Sequence, residues 1–402
     1  MRVAGRDAAR GVTLAMGPLA GVSVVEFAGI GPAPFCGMML ADLGADVLLI
    51  GRKVRNRNTG DVSFFNPGRF DLLNRGKRAI ALDLKQPAGV AVALRLIARA
   101  DALIEGFRPG VMERNGLGPD VCESRNSRLV YGRMTGWGQT GPLAQAAGHD
   151  VNYVGLSGAL SLGAPPGARP WVPPTLVGDM GGGGLVLALG VVSAILEART
   201  SGRGQVVDAA ITDGSALLTT IFHAMKAAGN WPGPDHQHVL DSSAPFYDTY
   251  RCADGKWISI GALEPQFYAI LVDKCGLDGP LFAQQWDAAR WPEMKARVAA
   301  LVVTRTRDEW CRLLEGTDVC FAPVLDLNEA PAHPHNVARG TFVQPGGVTQ
   351  PAPAPRFSRT APEIGGLPAH AGQHSRAILR DWGIAADRID TLVAGGAVAS
   401  SS

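Results

Sequence analysis

The stretch SVVEFAGIGPAPFCGMMLADLGADVLLI, residues 23–50, decides the fold class. Its first five residues form a partly β-branched run that predicts a strand, and Gly29-Ile30-Gly31-Pro32 predicts a turn. A proline-opened helix over 32–43 and a second strand over 45–50 follow. The stretch therefore predicts a strand–helix–strand unit with two parallel strands.

The same alternation continues and predicts an α/β fold. Short apolar strands are predicted over 79–82, 102–104 and 129–134, with a helix over 87–100 between the first two. Strands that alternate with helices pair in parallel, because each crossover helix returns the chain to the same end of the sheet. We therefore expect a mostly parallel sheet that is covered by helices.

The second half of the chain predicts a smaller α/β domain. A helical stretch over 209–227 leads into a connector rich in Trp, Pro, Gly and His, and a strand-then-helix unit starts near Thr249. The run from Pro351 to Pro355 is too proline-dense for a helix or a central strand. The predicted segments are a large domain over 17–208, a linker over 209–246, a small domain over 247–335 and a Pro-rich linker over 336–362.

Composition and charge exclude several classes of protein. The 402 residues have a formal net charge of +2 and are 46% hydrophobic, so they can form a full core and have no cationic surplus for binding nucleic acid. Six scattered cysteines without a C-x-x-C pair indicate reduced thiols in a cytoplasmic protein. The apolar run from Gly181 to Leu196 is shorter than the roughly 20 residues of a membrane span. We expect a buried helix there and no contact with a membrane.

Four cations lie at or near the carboxyl ends of the predicted strands. Arg52 and Arg108 follow two strands, and Lys85 and Arg114 lie close by in sequence. Ligands of parallel sheets bind beyond these strand ends, so the four side chains are suited to a phosphorylated ligand. On spacing alone, solvated surface charges are the simpler interpretation.

Three positions carry groups that can transfer protons. In a Gly-His-Asp triplet, Asp150 would cap a following helix and so hold the His149 imidazole in place. Asp179 stands among glycines before an apolar helix, as a helix N-cap or as a reactive acid. Glu264 precedes a proline at a strand end, where glutamate is often only a turn residue.

The remaining histidines do not predict a metal site. His236 and His238, like His333 and His335, alternate in Pro/Gly loops without a cysteine or carboxylate at ligand spacing. Surface loops are the better interpretation of both pairs. His223 lies inside an apolar helical stretch, and we expect it in the core.

Several common catalytic motifs are absent, and an ordered set of short segments carries a resemblance instead. The sequence has no G-x-S-x-G, P-loop or H-E-x-x-H motif, and the turn after its first strand has no G-x-G-x-x-G. From about residue 17 to 360 the chain resembles the α-methylacyl-CoA racemases of the family III CoA-transferase superfamily. The segments that carry this resemblance are VEFAGIGP (25–32), ADLGAD (41–46), DLK (83–85), EGFRPG (105–110), MTGWGQTGP (134–142), GHD (148–150), GD (178–179) and EPQFY (264–268).

The resemblance implies a particular architecture. A Rossmann-like large domain would form from both ends of the chain, with residues 340–402 returning to it, and two subunits would thread through each other as an interlocked homodimer. Each active site would lie between the large domain of one subunit and the small domain of the other. The stretch from Lys53 to Phe65 is longer than we expect after the second strand, and the first fifteen residues have no counterpart.

The resemblance also assigns roles to residues. It implies that His149 and Asp179 are the acid/base pair and that Glu264 from the partner subunit polarises His149. CoA is part of the substrate, and no other cofactor is implied. The implied CoA contacts are Arg52, Leu82, Asp83, Leu84, Lys85, Arg108, Arg114, Gly148, Asp150, Val151, Asn152 and Tyr153.

The implied activity is the interconversion of (2R)- and (2S)-2-methylacyl-CoA thioesters through an enolate. One group removes the α-proton and another returns a proton on the opposite face. The backbone amide of Asp179, or the start of its helix, is a candidate for stabilising the enolate. The alternative is a CoA-transferase in which the Asp179 carboxylate attacks the thioester. A third interpretation is a CoA-binding protein without turnover.

Overall fold

The computed structural model describes residues 17–52, 68–231 and 237–400; the Lys53 to Phe65 stretch, His236 and the first sixteen residues lie outside the described residues. The strands are β1 (Ser23–Phe27), β2 (Asp46–Arg52), β3 (Arg78–Leu82), β4 (Ala102–Glu105), β5 (Val130–Thr135), β6 (Val206–Ala210), β7 (Tyr247–Arg251), β8 (Trp257–Gly261), β9 (Phe321–Val324), β10 (Phe342–Val343), β11 (Gln350–Pro351) and β12 (Val398–Ala399). The α-helices are α1 (Pro32–Asp42), α2 (Pro87–Ile97), α3 (Val111–Arg114), α4 (Pro119–Arg125), α5 (Asp150–Leu156), α6 (Val186–Ser201), α7 (Ile211–Leu218), α8 (Thr220–Ala227), α9 (Pro265–Cys275), α10 (Trp291–Val302), α11 (Arg307–Leu314), α12 (Pro334–Arg339), α13 (Ser375–Asp381) and α14 (Ala386–Ala394).

The chain divides by its contacts into two compact units. The first comprises Met1–Ser157, Pro173–Leu218 and Gly340–Ser402, and the second comprises Gly158–Val172 and Thr219–Arg339. The linker predicted over 209–246 is thus divided between the two units. The segment 158–172, which the sequence places in the large domain, belongs to the second unit.

A seven-stranded sheet forms the centre of the first unit. Its order is β12-β3-β2-β1-β4-β5-β6, and every neighbouring pair is parallel except β12 with β3. The order 3-2-1-4-5-6 is that of the Rossmann type of doubly wound sheet. The prediction of a mostly parallel α/β sheet is therefore confirmed. The turn after β1 lacks the glycine fingerprint of dinucleotide-binding folds, and the one G-x-G-x-x-G stretch, Gly136–Gly141, follows β5 instead.

Helices cover both faces of this sheet. On one face, Leu96 of α2, Ile378 of α13 and Leu392 of α14 join a core cluster, and on the other Leu40 of α1 and Leu187 of α6 join a second one. Strand β1 is buried along its whole length between these layers. A strand that is covered on both sides is mostly apolar, as Val24, Val25 and Phe27 of β1 are, and its buried charged residue, Glu26, requires a partner.

The helical run Leu176–Ser201 corrects the prediction of a short buried helix. It has 26 residues, a π-helical part over Leu176–Leu185 followed by α6, and by length and composition it is apolar enough to cross a membrane. Its Val191 is buried in the core, whereas Leu189 and Leu196 are exposed. It is therefore a core helix whose other apolar face is exposed. It is also longer than the helix predicted over 181–196.

A charged pair lies in the interior of the first unit. The Lys77 ammonium donates to Glu26 Oε1 at 2.8 Å and to the Pro34 carbonyl at 2.9 Å, and both charged side chains are buried. Burial raises the pKa of Glu26 to about 7, while Lys77 opposes that rise. Gly37 of α1 makes room for the pair, because a Cβ there would lie 1.8 Å from Glu26 Oε2.

The second unit has a three-stranded antiparallel sheet in the order β7-β8-β9. Trp291 and Met294 of α10 and Trp310 of α11 pack in its core. The predicted strand-then-helix start is wrong in detail, because β7 and β8 form a hairpin before α9. Gly255, with φ +78°, forms the turn of this hairpin.

Two histidines differ from their predicted surroundings. His223 on α8 is exposed, so it does not contribute to the core. His238 is buried, with its ring centroid 4.5 Å from that of Trp231, so it is not a surface-loop residue. His333 forms an ion pair with Glu315 at 2.9 Å when its imidazole is protonated.

Candidate functional site

The site lies in the first unit where the strand order reverses. Strands β1 and β4 are neighbours, although β1 connects along the chain to β2, and the loops that follow them diverge at their carboxyl ends. Ligands of doubly wound sheets bind in this crevice. Gly31, in the loop after β1, faces Asp179: a Cβ at Gly31, with φ +72°, would lie 3.4 Å from Asp179 Oδ2.

Asp179 lies in the first turn of the π-helical run and is not its N-cap. Thr175 is the N-cap, with φ +61°, and its carbonyl accepts from the Met180 N–H at 2.9 Å, which is the i to i+5 bond of a π-helix. π-helical turns are uncommon and occur often at functional sites. The capping interpretation of Asp179 is therefore wrong, and its side chain is free of that role.

The backbone amide of Asp179 already has an acceptor. It donates to Asp150 Oδ1 at 2.8 Å, so it is not available to an enolate, which corrects the suggestion made from the sequence. The Asp179 carboxyl itself is half-buried. Burial and the nearby Asp150 charge raise its pKa to about 6, and His149 opposes the rise.

His149 is the N-cap residue of α5, and Asp150 is the first helical residue. The predicted cap at Asp150 is therefore shifted by one position. The His149 N–H donates to Asn152 Oδ1 at 3.0 Å, and the Tyr153 hydroxyl donates to the Gly148 carbonyl. These two bonds hold the backbone on both sides of the imidazole, which remains exposed.

The aromatic ring of Tyr153 locks the loop before α5. It stands edge-on to Trp137 with ring centroids 4.7 Å apart. Gly136 and Gly148 make this arrangement possible. A Cβ would lie 2.0 Å from the Tyr153 ring at Gly136 and 2.7 Å from it at Gly148. Burial and the Asp179 charge raise the pKa of Tyr153, while Arg108 lowers it.

The structure brings His149, Asp179 and Arg108 into one electrostatic environment. The Asp179 carboxyl responds to the charge of His149, and Tyr153 responds to both Asp179 and Arg108. The sequence separates these residues by up to 71 positions, from Arg108 to Asp179. An imidazole, a carboxyl group and a guanidinium group are therefore linked by these charge interactions at the strand reversal.

The four cations assigned to CoA lie along the carboxyl edge of the sheet. Arg52 ends β2, Lys85 follows β3, Arg108 follows β4 and Arg114 ends α3. All four are exposed, and none forms a salt bridge with another residue that the structure describes. They are free to bind an anionic ligand.

The segment from Leu82 to Lys85 forms a turn before α2. Leu82 is buried in the core and pairs in register with Arg52, so it offers a ligand only its backbone. Asp83 Oδ1 accepts from the Lys85 N–H at 3.1 Å, which fixes the turn. Leu84 packs against the core, and Val151, on α5, is 58% exposed.

A buried network that the sequence did not predict lies close to Arg108 in the chain. Arg133 Nε donates to Glu105 Oε1 at 2.9 Å, and Glu105 Oε2 accepts from the Phe107 N–H at 2.7 Å. Arg133 also reaches Glu113 on α3 at 2.8 Å. This network braces the two segments that carry Arg108 and Arg114. Its signal was a charged residue in each of two otherwise apolar neighbouring strands.

Glu264 belongs to the second unit. It is the N-cap residue of α9, it is exposed, and its side chain makes no capping hydrogen bond. Its charge contributes to raising the pKa of Cys320, after burial. The carboxyl group is therefore on the surface of its own unit. In the described residues no group of three or more His, Cys, Asp or Glu side chains is arranged to hold a metal ion.

Known proteins are similar to this chain over most of its length. α-Methylacyl-CoA racemase of Mus musculus is 44% identical over 92% of this chain and 95% of its own, and that of Homo sapiens is 42% identical over 93% and 96%. The β subunit of succinyl-CoA–L-malate CoA-transferase of Chloroflexus aurantiacus is 31% identical over 93% and 96%. A CAIB/BAIF family protein from Brucella suis has a solved structure with a TM-score of 0.77 and 26% identity, covering 91% of this chain and 100% of its own. The model of CoA-transferase family III matches residues 19–375, and the chain belongs to that family.

Proposed function

We propose that this protein is a racemase that interconverts (2R)- and (2S)-2-methylacyl-CoA thioesters. The observation that carries the proposal is the environment of Asp179, whose pKa is raised to about 6 in a crevice that it shares with His149. An acid/base group works best when its pKa lies near the working pH. The similarity to α-methylacyl-CoA racemases supports the same substrate class.

Two different acid/base groups on opposite faces of the α-carbon perform the reaction. One takes the α-proton, the electron pair moves into the thioester carbonyl as an enolate, and the other group returns a proton to the opposite face. His149 and Asp179 are the two groups. The two groups exchange the roles of acid and base when the reaction runs in reverse. The protons therefore balance without an oxidant, a metal or a further cofactor.

Arg52, Lys85, Arg108 and Arg114 hold the phosphates and adenine end of CoA in this proposal. Their exposed positions at the carboxyl edge of the sheet, without internal ion pairs among the described residues, support that role. Guanidinium groups bind phosphate through paired hydrogen bonds. The loop from Gly148 to Tyr153, which carries His149, completes the CoA site.

Glu264 completes the site from a second copy of the chain. The family resemblance implies an interlocked homodimer, and the exposed, uncapped carboxyl of Glu264 is available for an imidazole. A carboxylate beside His149 favours its protonated form. The 2-methylacyl-CoA substrate and a second subunit are thus the two partners of each site.

A CoA-transferase is the competing function, because the family includes such enzymes. There the ionised carboxylate of Asp179 would attack the thioester and form an anhydride. A pKa raised to about 6 favours proton transfer over nucleophilic attack, because it keeps both protonation states accessible near neutrality. The transferase also has no need of His149.

The test is NMR of a single enantiomer of a 2-methylacyl-CoA in heavy water without an acceptor acid. A racemase incorporates deuterium at the α-carbon and forms the other enantiomer. Unchanged substrate under these conditions, together with CoA transfer when a carboxylic acid is added, would replace the racemase proposal with a transferase.

A further inference from the structure

We propose that the Asp150 carboxylate positions Asp179 for proton transfer, by binding two backbone N–H groups of the turn that carries it. The inference rests on the proposed racemase function, because it gives Asp150 a role in that site. Family resemblance places Asp150 among the CoA contacts, but its side chain is directed to the chain itself.

Both oxygens of Asp150 are used in this clamp. Oδ1 accepts from the Asp179 N–H at 2.8 Å, and Oδ2 accepts from the Thr175 N–H at 3.1 Å. Hydrogen bonds to an ionised carboxylate are stronger than those between neutral groups. The first residue of α5, which adjoins His149, is thereby tied to the start of the helix that carries Asp179.

The local backbone is shaped to admit the carboxylate. A Cβ at Gly178 would lie 2.1 Å from Asp150 Oδ1, so only glycine allows this approach. Thr175 has φ +61°, a left-handed conformation that a β-branched residue rarely adopts. Such conformations persist only where the surroundings enforce them, and the bond from the Thr175 N–H to Asp150 is one such restraint.

The charge of Asp150 also acts on Asp179. The groups that face the Asp179 carboxyl are Asp150 and His149 of the α5 N-terminus and Tyr153 one turn later, with Arg108 acting on Tyr153. Of these, Asp150 raises the pKa of Asp179 after burial, and His149 lowers it. A carboxylate held at this position therefore orients Asp179 and favours its protonated form.

Asp150→Asn tests the proposal, because asparagine offers one acceptor oxygen where the clamp needs two. We expect kcat/KM for racemisation to fall at least about tenfold and the pH limb that belongs to Asp179 to move to lower pH by about one unit, since a like charge is removed. Asp101→Asn is the matched control. Asp101 Oδ2 also accepts a backbone N–H, that of Ser23 at 2.8 Å, at the opposite edge of the sheet.

A pH limb that stays in place in Asp150→Asn would overturn the charge role, because a merely structural change lowers the rate without moving the limb. Hydrogen exchange with residue resolution on the wild-type protein tests the clamp itself. We expect the amides of Thr175 and Asp179 to exchange slowly, and fast exchange at both would refute the clamp even if the variant did not fold. Wild-type protein without α-proton exchange would refute the racemase function and leave this amide result to stand on its own.

Discussion

Asp179 owes its raised pKa to burial and to two titratable neighbours, Asp150 and His149, that lie far from it in sequence. A half-buried carboxyl loses hydration, Asp150 adds a like charge, and His149 supplies partial compensation. Burial and the Asp150 charge together outweigh the effect of His149, so the pKa of Asp179 rises to about 6. Desolvation and like charge both penalise the ionised form of a carboxyl.

The pH dependence of racemisation follows from this pKa. Where Asp179 removes the α-proton it must be ionised, so we expect kcat/KM to fall as pH drops through about 6. The sign follows from a raised pKa: the active, ionised form is lost at a higher pH than for an exposed aspartate. A profile of kcat/KM against pH for each enantiomer measures it. An acidic limb near 4, the ordinary range of aspartate, would contradict the assigned environment.

For single residues, the sequence predicted which groups carry protons but not which contacts hold their backbone in place. His149 and Asp179 stand in glycine-framed segments that carry a family resemblance. The bond from the Asp179 amide to Asp150 spans 29 positions and leaves no pattern in the sequence. The cap at His149 was assigned one residue too late, because aspartate is the stronger cap by propensity and the tertiary bonds of Asp150 override it.

Among the elements, the proposed CoA contacts lie at or near the carboxyl ends of strands. We expect Arg108→Ala, just after β4, to weaken CoA binding by about tenfold or more, since a charge-assisted phosphate contact is removed. The loss should shrink at high ionic strength. Calorimetric titration with CoA measures it, with Arg125→Ala, an exposed arginine of α4, as the control. Equal affinities of the two variants for CoA would show that Arg108 is a surface charge that does not contact CoA.

The contact of α1 with β1 depends on Gly37. We expect Gly37→Ala to lower the free energy of unfolding by about 2–4 kcal/mol, because the new Cβ displaces Glu26 from its buried pair with Lys77. Chemical denaturation measures the change. Gly51→Ala is the control, since its Cβ would meet nothing closer than 3.5 Å. Equal free energies of unfolding for the two variants would show that the Glu26–Lys77 pair can shift without loss of stability.

Periodicity predicted the first five strands and helices α1 and α2. It did not predict the short helices α3 and α4, and it failed at other specific elements. Strand β6 was not predicted, and the helix predicted from 209 overlaps its last two residues, because β6 is a short edge strand with Val206 exposed and directly precedes α7. The hairpin of β7 and β8 was missed, although its Asp254-Gly255 pair is a turn signal. A run of glycines hid the π-helical part before α6, because the glycines serve close packing there and not chain reversal.

For the whole molecule, the topology could be predicted only in part. Alternating strands and helices predicted the parallel sheet, which the structure confirms. The assignment of segments 158–172 and 209–246 to units depends on long-range contacts that local patterns do not encode. A cytoplasmic location, the interlocked homodimer and the role of Glu264 remain predictions.

Complementation tests the shared site of the proposed homodimer. We expect His149→Ala and Glu264→Ala to be inactive separately and to regain partial activity after co-refolding, because a heterodimer has one site with both groups intact. Racemisation in the mixture measures this. Heterodimers shown by native mass spectrometry but without activity would place both residues in the site of one subunit.

In the proposed mechanism, His149 and Asp179 act on opposite faces of the α-carbon. Stereospecific exchange tests it most directly: His149→Gln and Asp179→Asn are each incubated in heavy water with pure (2R)- and pure (2S)-2-methylacyl-CoA. We predict that net interconversion falls about 100-fold or more in both variants. Each should still exchange the α-proton of one enantiomer, and a different one in each variant. Exchange of the same enantiomer by both variants, or wild-type interconversion by either, would contradict the account.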